Sequence, residues 1–209
     1  MKNYISKLVF AVLLAAPLSS WALIEGRLSY GSLASGQNLS DVCQGSCTSP
    51  GNAPGIVPTY GAGLDVIIKL PIIPVGFGVR TEDMKLSVSG AGIDADIKYN
   101  RTAVIINYRI IDTIVHFGPI FTYGISHSGN MTLKEGGTTK VDLSPGTVSS
   151  YSVGLELLVK PLIVLPLTIG AEAGYMNFKW GQVTNSVDNT QKDIDLSGTY
   201  VKVFLGLDF

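Results

Sequence analysis

His127-Ser-Gly-Asn130 is the segment of this chain where hydrolytic chemistry could reside. A serine becomes a nucleophile when a histidine within hydrogen-bond reach takes its proton and a third group orients that histidine. Ser128 directly follows His127, so an extended backbone sends the two side chains to opposite faces. A polar pair in a loop at the rim of a strand is the better reading, and His116 reads as a packed polar residue on an inner face. Cys43-Gln-Gly-Ser-Cys47 is the second candidate. Three intervening residues with Gly45 among them permit a tight turn, and export through an oxidising compartment favours a Cys43–Cys47 disulfide. A metal there would need more ligands, and the chain has 2 histidines, His116 and His127, both far along the sequence. The sequence therefore assigns no catalytic residue, no metal site and no cofactor.

The remaining chemistry lies in charges that alternate with apolar residues. The last residues, Thr199 to Phe209, put Thr199, Val201, Val203, Leu205, Leu207 and Phe209 on one face of a strand, and Tyr200, Lys202, Phe204, Gly206 and Asp208 on the other. The same period recurs along the chain and predicts eight strands, near 24–33, 59–70, from Val75, 97–110, 114–127, 149–160, 167–180 and 199–209. One face of each carries residues such as Leu28, Leu64, Val79, Ile106, Phe121, Leu155 and Ile169. The other carries Glu25, Arg27, Asp65, Lys69, Arg80, Glu82, Arg101, Arg109, Glu156, Glu172, Lys202 and Asp208. An apolar outer stripe opposite a polar inner face suits a barrel with lipid outside. The balanced inner charges should pair into a network that plugs the lumen, because unpaired charges in so confined a space are costly. Ser126 and Thr122 belong to the inner face of the fifth strand on this reading. In the seventh, apolar residues move to the inner parity at Phe178 and Trp180, which predicts a bulge near Asn177.

Both ends of the chain point the same way. Lys2 and Lys7, the apolar run Leu8 to Ala16, and Ser20-Trp21-Ala22 form a secretory signal peptide over residues 1–22, which leaves a barrel domain over 23–209. Beyond it the longest apolar run, Pro161 to Leu167, is broken by prolines and falls well short of a spanning helix. The formal net charge is −1, which offers nothing to nucleic acid. The 24 glycines fall mostly inside the alternating segments, where a small closed sheet needs room. Tyr30, Tyr60, Tyr108, Phe117, Tyr123, Tyr151, Tyr175 and Phe209 share the outward parity, as interfacial girdles do.

Short links at 71–74, 111–113 and 161–166 alternate with long ones at 34–58, 83–96, 128–148 and 181–195. Outer-membrane barrels have short periplasmic turns and longer external loops, so the long links should be external, with the cysteines stapling an otherwise flexible first loop. From this pattern and its terminal Phe209 the chain resembles the small eight-stranded bacterial outer-membrane β-barrels, the OmpA transmembrane domain, OmpX and OmpW types. The resemblance implies an all-β, eight-stranded, antiparallel, up-and-down transmembrane barrel, and a Phe209 that belongs to the signal read by the barrel-insertion machinery. Implied partners are outer-membrane lipid and lipopolysaccharide, that machinery, and a surface ligand for the external loops. Implied roles are membrane integrity, surface interaction or passage of small apolar solutes. A lipid-modifying relative on this architecture, the lipid A deacylase PagL, uses a His-x-Ser-Asn segment with an acidic partner; here Ser128 stands one residue too early.

Overall fold

The computed structural model describes residues 24–43, 46–49, 53, 56–70, 73–90, 92–112, 114–161, 166–187, 189 and 191–209. The expected signal peptide, and parts of all three short links, lie outside the described residues. Among the described residues there are eleven strands: β1 (Ile24–Asn38), β2 (Ile56–Lys69), β3 (Val75–Gly90), β4 (Ile93–Tyr108), β5 (Ile111–Asp112), β6 (Val115–Glu135), β7 (Thr138–Ser144), β8 (Thr147–Val159), β9 (Leu167–Asn185), β10 (Gln191–Asp195) and β11 (Gly198–Asp208). A short helix, α1 (Leu39–Cys43), follows β1.

Eight of the strands close a ring in the order β1, β2, β3, β4, β6, β8, β9, β11, every neighbour antiparallel. Closure leaves no sheet edge for lipid to meet, which the hydrocarbon core of a membrane demands. A walk along the register from Phe117 passes Leu157, Ala171, Val203, Tyr30, Ala62, Asp83 and Asn100 and returns to β6 at Ser128. That climb is the barrel's shear, and strands so staggered tilt by about 35–45° to its axis.

The long links differ from expectation. Three of them are mostly strand, because β3 and β4, β6 and β7, and β9 and β10 run on beyond the eight-stranded ring as hairpins. Gly136 and Gly137, with φ of 56° and 79°, make the two-residue turn between β6 and β7. β7 and β8 follow one path broken at Pro145 and Gly146, where proline can donate no ladder hydrogen bond.

Polarity inverts where the extension begins, and β4 shows it on a single strand. Its outward residues are Tyr108, Ile106 and Val104 near the short-turn end, but Asn100, Lys98, Asp96 and Asp94 toward the hairpin tip. Its inward residues run the other way, from Arg101 to the buried Tyr99, Ile97, Ala95 and Ile93. The side-chain period never changes; the partners of the two faces do. Below, exposed Leu28, Val79, Leu155, Val203 and Leu205 form an apolar belt, with Tyr30, Tyr60, Tyr123, Tyr151 and Tyr175 exposed at its upper rim. Above, Met131, Leu133, Phe178 and Trp180 build an interior of the soluble kind, and α1 inserts Leu39, Val42 and Cys43 into it.

Two local details also depart from the sequence reading. The register between β4 and β6 shifts at Ile125, between the pairs Thr102–Ser126 and Ala103–Gly124. That bulge turns Ser126 outward, where it is exposed, and brings His127 to the inner face in its place. Alternation in β9 runs unbroken through Met176, Phe178 and Trp180, so no bulge sits at Asn177. The irregularity falls at Gln182, whose φ is 52°, and restores Val183 to the inside.

Candidate functional site

Inward parity gathers the twelve predicted charges into stacked layers, and each of them has an opposite charge within ion-pair distance. At the short-turn end Asp208 meets Lys69 and, at 2.7 Å, Lys160. Above it Glu25 joins Arg109 and Arg27, whose Nε lies 2.9 Å away, and Arg27 reaches Glu156 at 2.7 Å. Asn107 donates to the second oxygen of Glu156 at 2.6 Å, while the Arg27 guanidinium lies 4.7 Å over the Phe204 ring. In the middle, Arg80 spans the bore: it donates to both oxygens of Asp65 on β2 and to both of Glu172 on β9, at 2.7–2.9 Å. Tyr200 donates to Glu172 as well, at 2.8 Å. The uppermost layer joins Glu82 to Arg101 and Lys202, and Arg101 donates to Ser150 and Thr122.

Small residues make this filling fit. A Cβ at Gly154 would lie 2.4 Å from the Tyr200 hydroxyl, and one at Gly170 would lie 2.4 Å from the Phe204 ring. Glycine at these inward positions lets two rings lie across the bore. Above the Asp208 layer these charges are desolvated, so their mutual geometry carries the energetics: removing one partner leaves the other buried and uncompensated. Ile67, Ile105 and Ile120 fill the space between layers.

The histidine–serine segment lies inside β6 rather than in a loop. His127 and Ser128 do face apart, as the extended backbone requires. The residue His127 meets is Ser150 on β8, with Nε2 2.7 Å from Oγ, and Arg101 Nε donates to the same hydroxyl at 2.7 Å. Sequence spacing could not show this contact, because it depends on the bulge at Ile125 and on the β6–β8 register. His116 is buried near the short-turn end. Among the described residues, no three of His, Cys, Asp and Glu gather as metal ligands.

His127 stands at a break in the barrel wall. The ladder between β6 and β8 ends at the pair Tyr123–Tyr151, and pairing to β7 resumes at Met131–Leu143. Between these points a groove of about 440 Å³ opens, lined on one side by residues 125–129 and on the other by Ser144, Pro145, Gly146 and Val148. Nothing in the alternation of the sequence marks this gap; the Pro145-Gly146 pair is its one visible sign.

Cys43 and Cys47 are joined in a disulfide, with Cα atoms 5.3 Å apart. Cys43 is fully buried in the apolar interior of the extension, so the bridge anchors the first link instead of stapling a free loop. Thr48 and Ser49 then donate their backbone N–H groups to the two oxygens of Glu135, both at 2.8 Å, which clamps that link to the β6–β7 hairpin.

No protein-family model and no curated protein sequence matches the chain. Solved structures do. Ail, the attachment invasion locus protein of Yersinia pestis, aligns with a TM-score of 0.55 at 14% identity, over 90% of this chain and 99% of Ail. A major outer membrane protein from Thermus thermophilus aligns at 0.50 and 9%, over 89% and 99%. The chain has the outer-membrane β-barrel fold. Ail in complex with the heparin analogue sucrose octasulfate aligns at 0.52 and 14%, over 90% and 99% of the two chains. The fold and the exposed apolar belt place this barrel in the outer membrane, with the aromatic rim at the lipid interface.

Proposed function

We propose that this is a non-enzymatic, closed outer-membrane barrel that stabilises the membrane and carries a rigid β-extension outside the cell for surface contacts. The observation that carries the reading is the Arg80 layer, in which one guanidinium bridges Asp65 and Glu172 across the bore and leaves no single-sign path for ions. The apolar interior above it supplies a second seal. On this reading the long-hairpin end is external, and the carboxyl-terminal strand ending at Phe209 is what the barrel-insertion machinery engages. The outward face of the extension mixes Lys85, Lys98, Lys134 and Lys140 with Asp94, Asp96 and Asp142, which favours a mixed-charge partner over a polyanion.

Reconstitution into planar bilayers tests closure. Folded barrel should add no discrete conductance steps, and reproducible single-channel openings would sink the closed reading. A second reading, passage of small apolar solutes through a lateral path, has one observation in its favour: the break between β6 and the β7–β8 path. It predicts uptake of an apolar dye into vesicles without any ionic conductance.

A further inference from the structure

We propose that the break between β6 and the β7–β8 path is a binding site for the phosphorylated sugar headgroup of a membrane glycolipid. The argument begins with backbone. Gly124 and Ser126–Asn130 of β6 pair with β4 on one side, and Thr147–Ser150 pair with β9 on the far side of the gap, so each strand turns a backbone edge without a strand partner toward the groove. Backbone N–H and C=O groups left this way seek partners, and a polyhydroxylated headgroup supplies both donors and acceptors.

Height fixes the kind of ligand. The last β6–β8 pair before the gap is Tyr123–Tyr151, both exposed in the aromatic rim, so the opening begins where hydrocarbon ends. A soluble ligand would have no reason to prefer this level, whereas a lipid headgroup is held there by its own acyl chains, which lie along the belt below. The lining suits sugar: Ser126, Ser128 and Ser144 offer hydroxyls, and the imidazole of His127 is held at the inner wall by Ser150.

Cations flank the opening at the same level. Lys98 on β4 lies beside Asn130, and Lys179 on β9 lies beside Ser149; both side chains are more than half exposed. Lys85 stands directly opposite Lys98 across the β3–β4 ladder and adds a further cation to this side of the opening. Asp96 and Asp195 partner Lys98 and Lys179 at 2.9 and 3.8 Å, and a phosphate would compete with these exposed carboxylates. The proposal rests on the fold and not on closure of the bore, so a barrel that conducts would leave it intact.

The test uses the folded full-length barrel in phosphatidylcholine nanodiscs containing bis-phosphorylated lipid A, which is present in both leaflets and so removes any dependence on orientation. Native mass spectrometry counts barrels that retain lipid A. Wild type should retain it, while the Lys98→Gln/Lys179→Gln variant, altered only on the exposed face, should retain at least about tenfold less, since two charge-assisted contacts are lost and one alone is worth about that factor. A Lys140→Gln control, in β7 beyond the groove, should behave as wild type. His127→Ala should also lower retention. Equal retention by wild type and the double-lysine variant overturns the proposal, even where His127→Ala fails to fold. Displacement by inorganic phosphate at the concentration of the lipid would assign the site to a free anion and overturn the lipid assignment.

Discussion

The lower and upper halves of this barrel are built on the same strands with the same two-residue period, yet they are inside out relative to each other. In the lower half Val203 and Leu205 face out, while Arg80 and Glu172 face in. In the upper half Lys98 and Asn100 face out, while Ile97 and Phe178 face in. Strand pleating decides only which residues share a face. Which face must be apolar is decided by solvent, and the solvent changes at the aromatic rim. The lower half holds together by pairing desolvated charges around a lipid-facing shell; the upper half removes apolar area from water as a soluble sandwich does.

The comparison breaks most sharply at the two interiors. Arg80→Leu leaves Asp65 and Glu172 buried without a cation, and should cost about 3–5 kcal/mol, read as a lower urea midpoint for loss of the heat-modifiable band. Trp180→Ala, in the upper interior, should cost a similar ~3–5 kcal/mol by opening a cavity. The consequences should differ in extent. The tryptophan variant should expose the hairpins to protease while the lower barrel stays closed and heat-modifiable. If Trp180→Ala unfolds the whole barrel in one step, the two halves are a single cooperative unit and the division fails.

The outer faces give the next contrast. Leu205→Arg sits in the lipid-facing belt and should cost about 2–4 kcal/mol if near mid-membrane. Lys85→Leu, on the same outward parity above the rim, should change the unfolding midpoint by less than about 0.5 kcal/mol, as surface substitutions do. Equal effects at the two positions would mean that the rim is misplaced.

The lower half was legible in the sequence because lipid rewards strict alternation: strand parity, the twelve inward charges and the aromatic rim follow from it. The upper half was less so. Asp94, Asp96 and Lys98 alternate with Ile93, Ala95 and Ile97 as regularly as any membrane strand, but a segment polar on its outer parity reads as an external link when the inside is assumed polar. The turn glycines Gly136 and Gly137 mark a hairpin only once the flanking strands are accepted. Pairing between strands was out of reach altogether, since the His127–Ser150 contact depends on a bulge at Ile125 that the flanking serines and glycines do not reveal.

The disulfide tests the attachment of the first link to the upper interior. Native protein purified without reductant should show no alkylation of Cys43 or Cys47, with both labelled after reduction. The double Ser substitution places a hydroxyl at the fully buried position 43, so it should loosen the hairpin extension by about 1–3 kcal/mol while leaving the lower barrel closed. Free thiols in native protein would remove the anchor from the account.

The smallest expected effect belongs to Glu135, the clamp between the first link and the β6–β7 hairpin. The backbone N–H of Thr48, and then that of Ser49, hold this exposed carboxyl below its ordinary range, because they are hydrogen bonds made to the ionised form. A carboxylate with a lowered folded-state pKa contributes stability that is present above the unfolded value. That contribution fades as pH falls through the carboxylate range to the lowered value, since the unfolded state takes up its proton first. Amide exchange at Thr48 and Ser49 should therefore accelerate as pH falls below the ordinary glutamate range, relative to amides of the lower barrel and after correction for the intrinsic pH dependence of exchange. Glu135→Gln should abolish that extra acceleration and leave both amides faster at neutral pH. If the wild-type amides show no excess acceleration in acid, the clamp does not hold the link, and the disulfide alone fixes it to the extension.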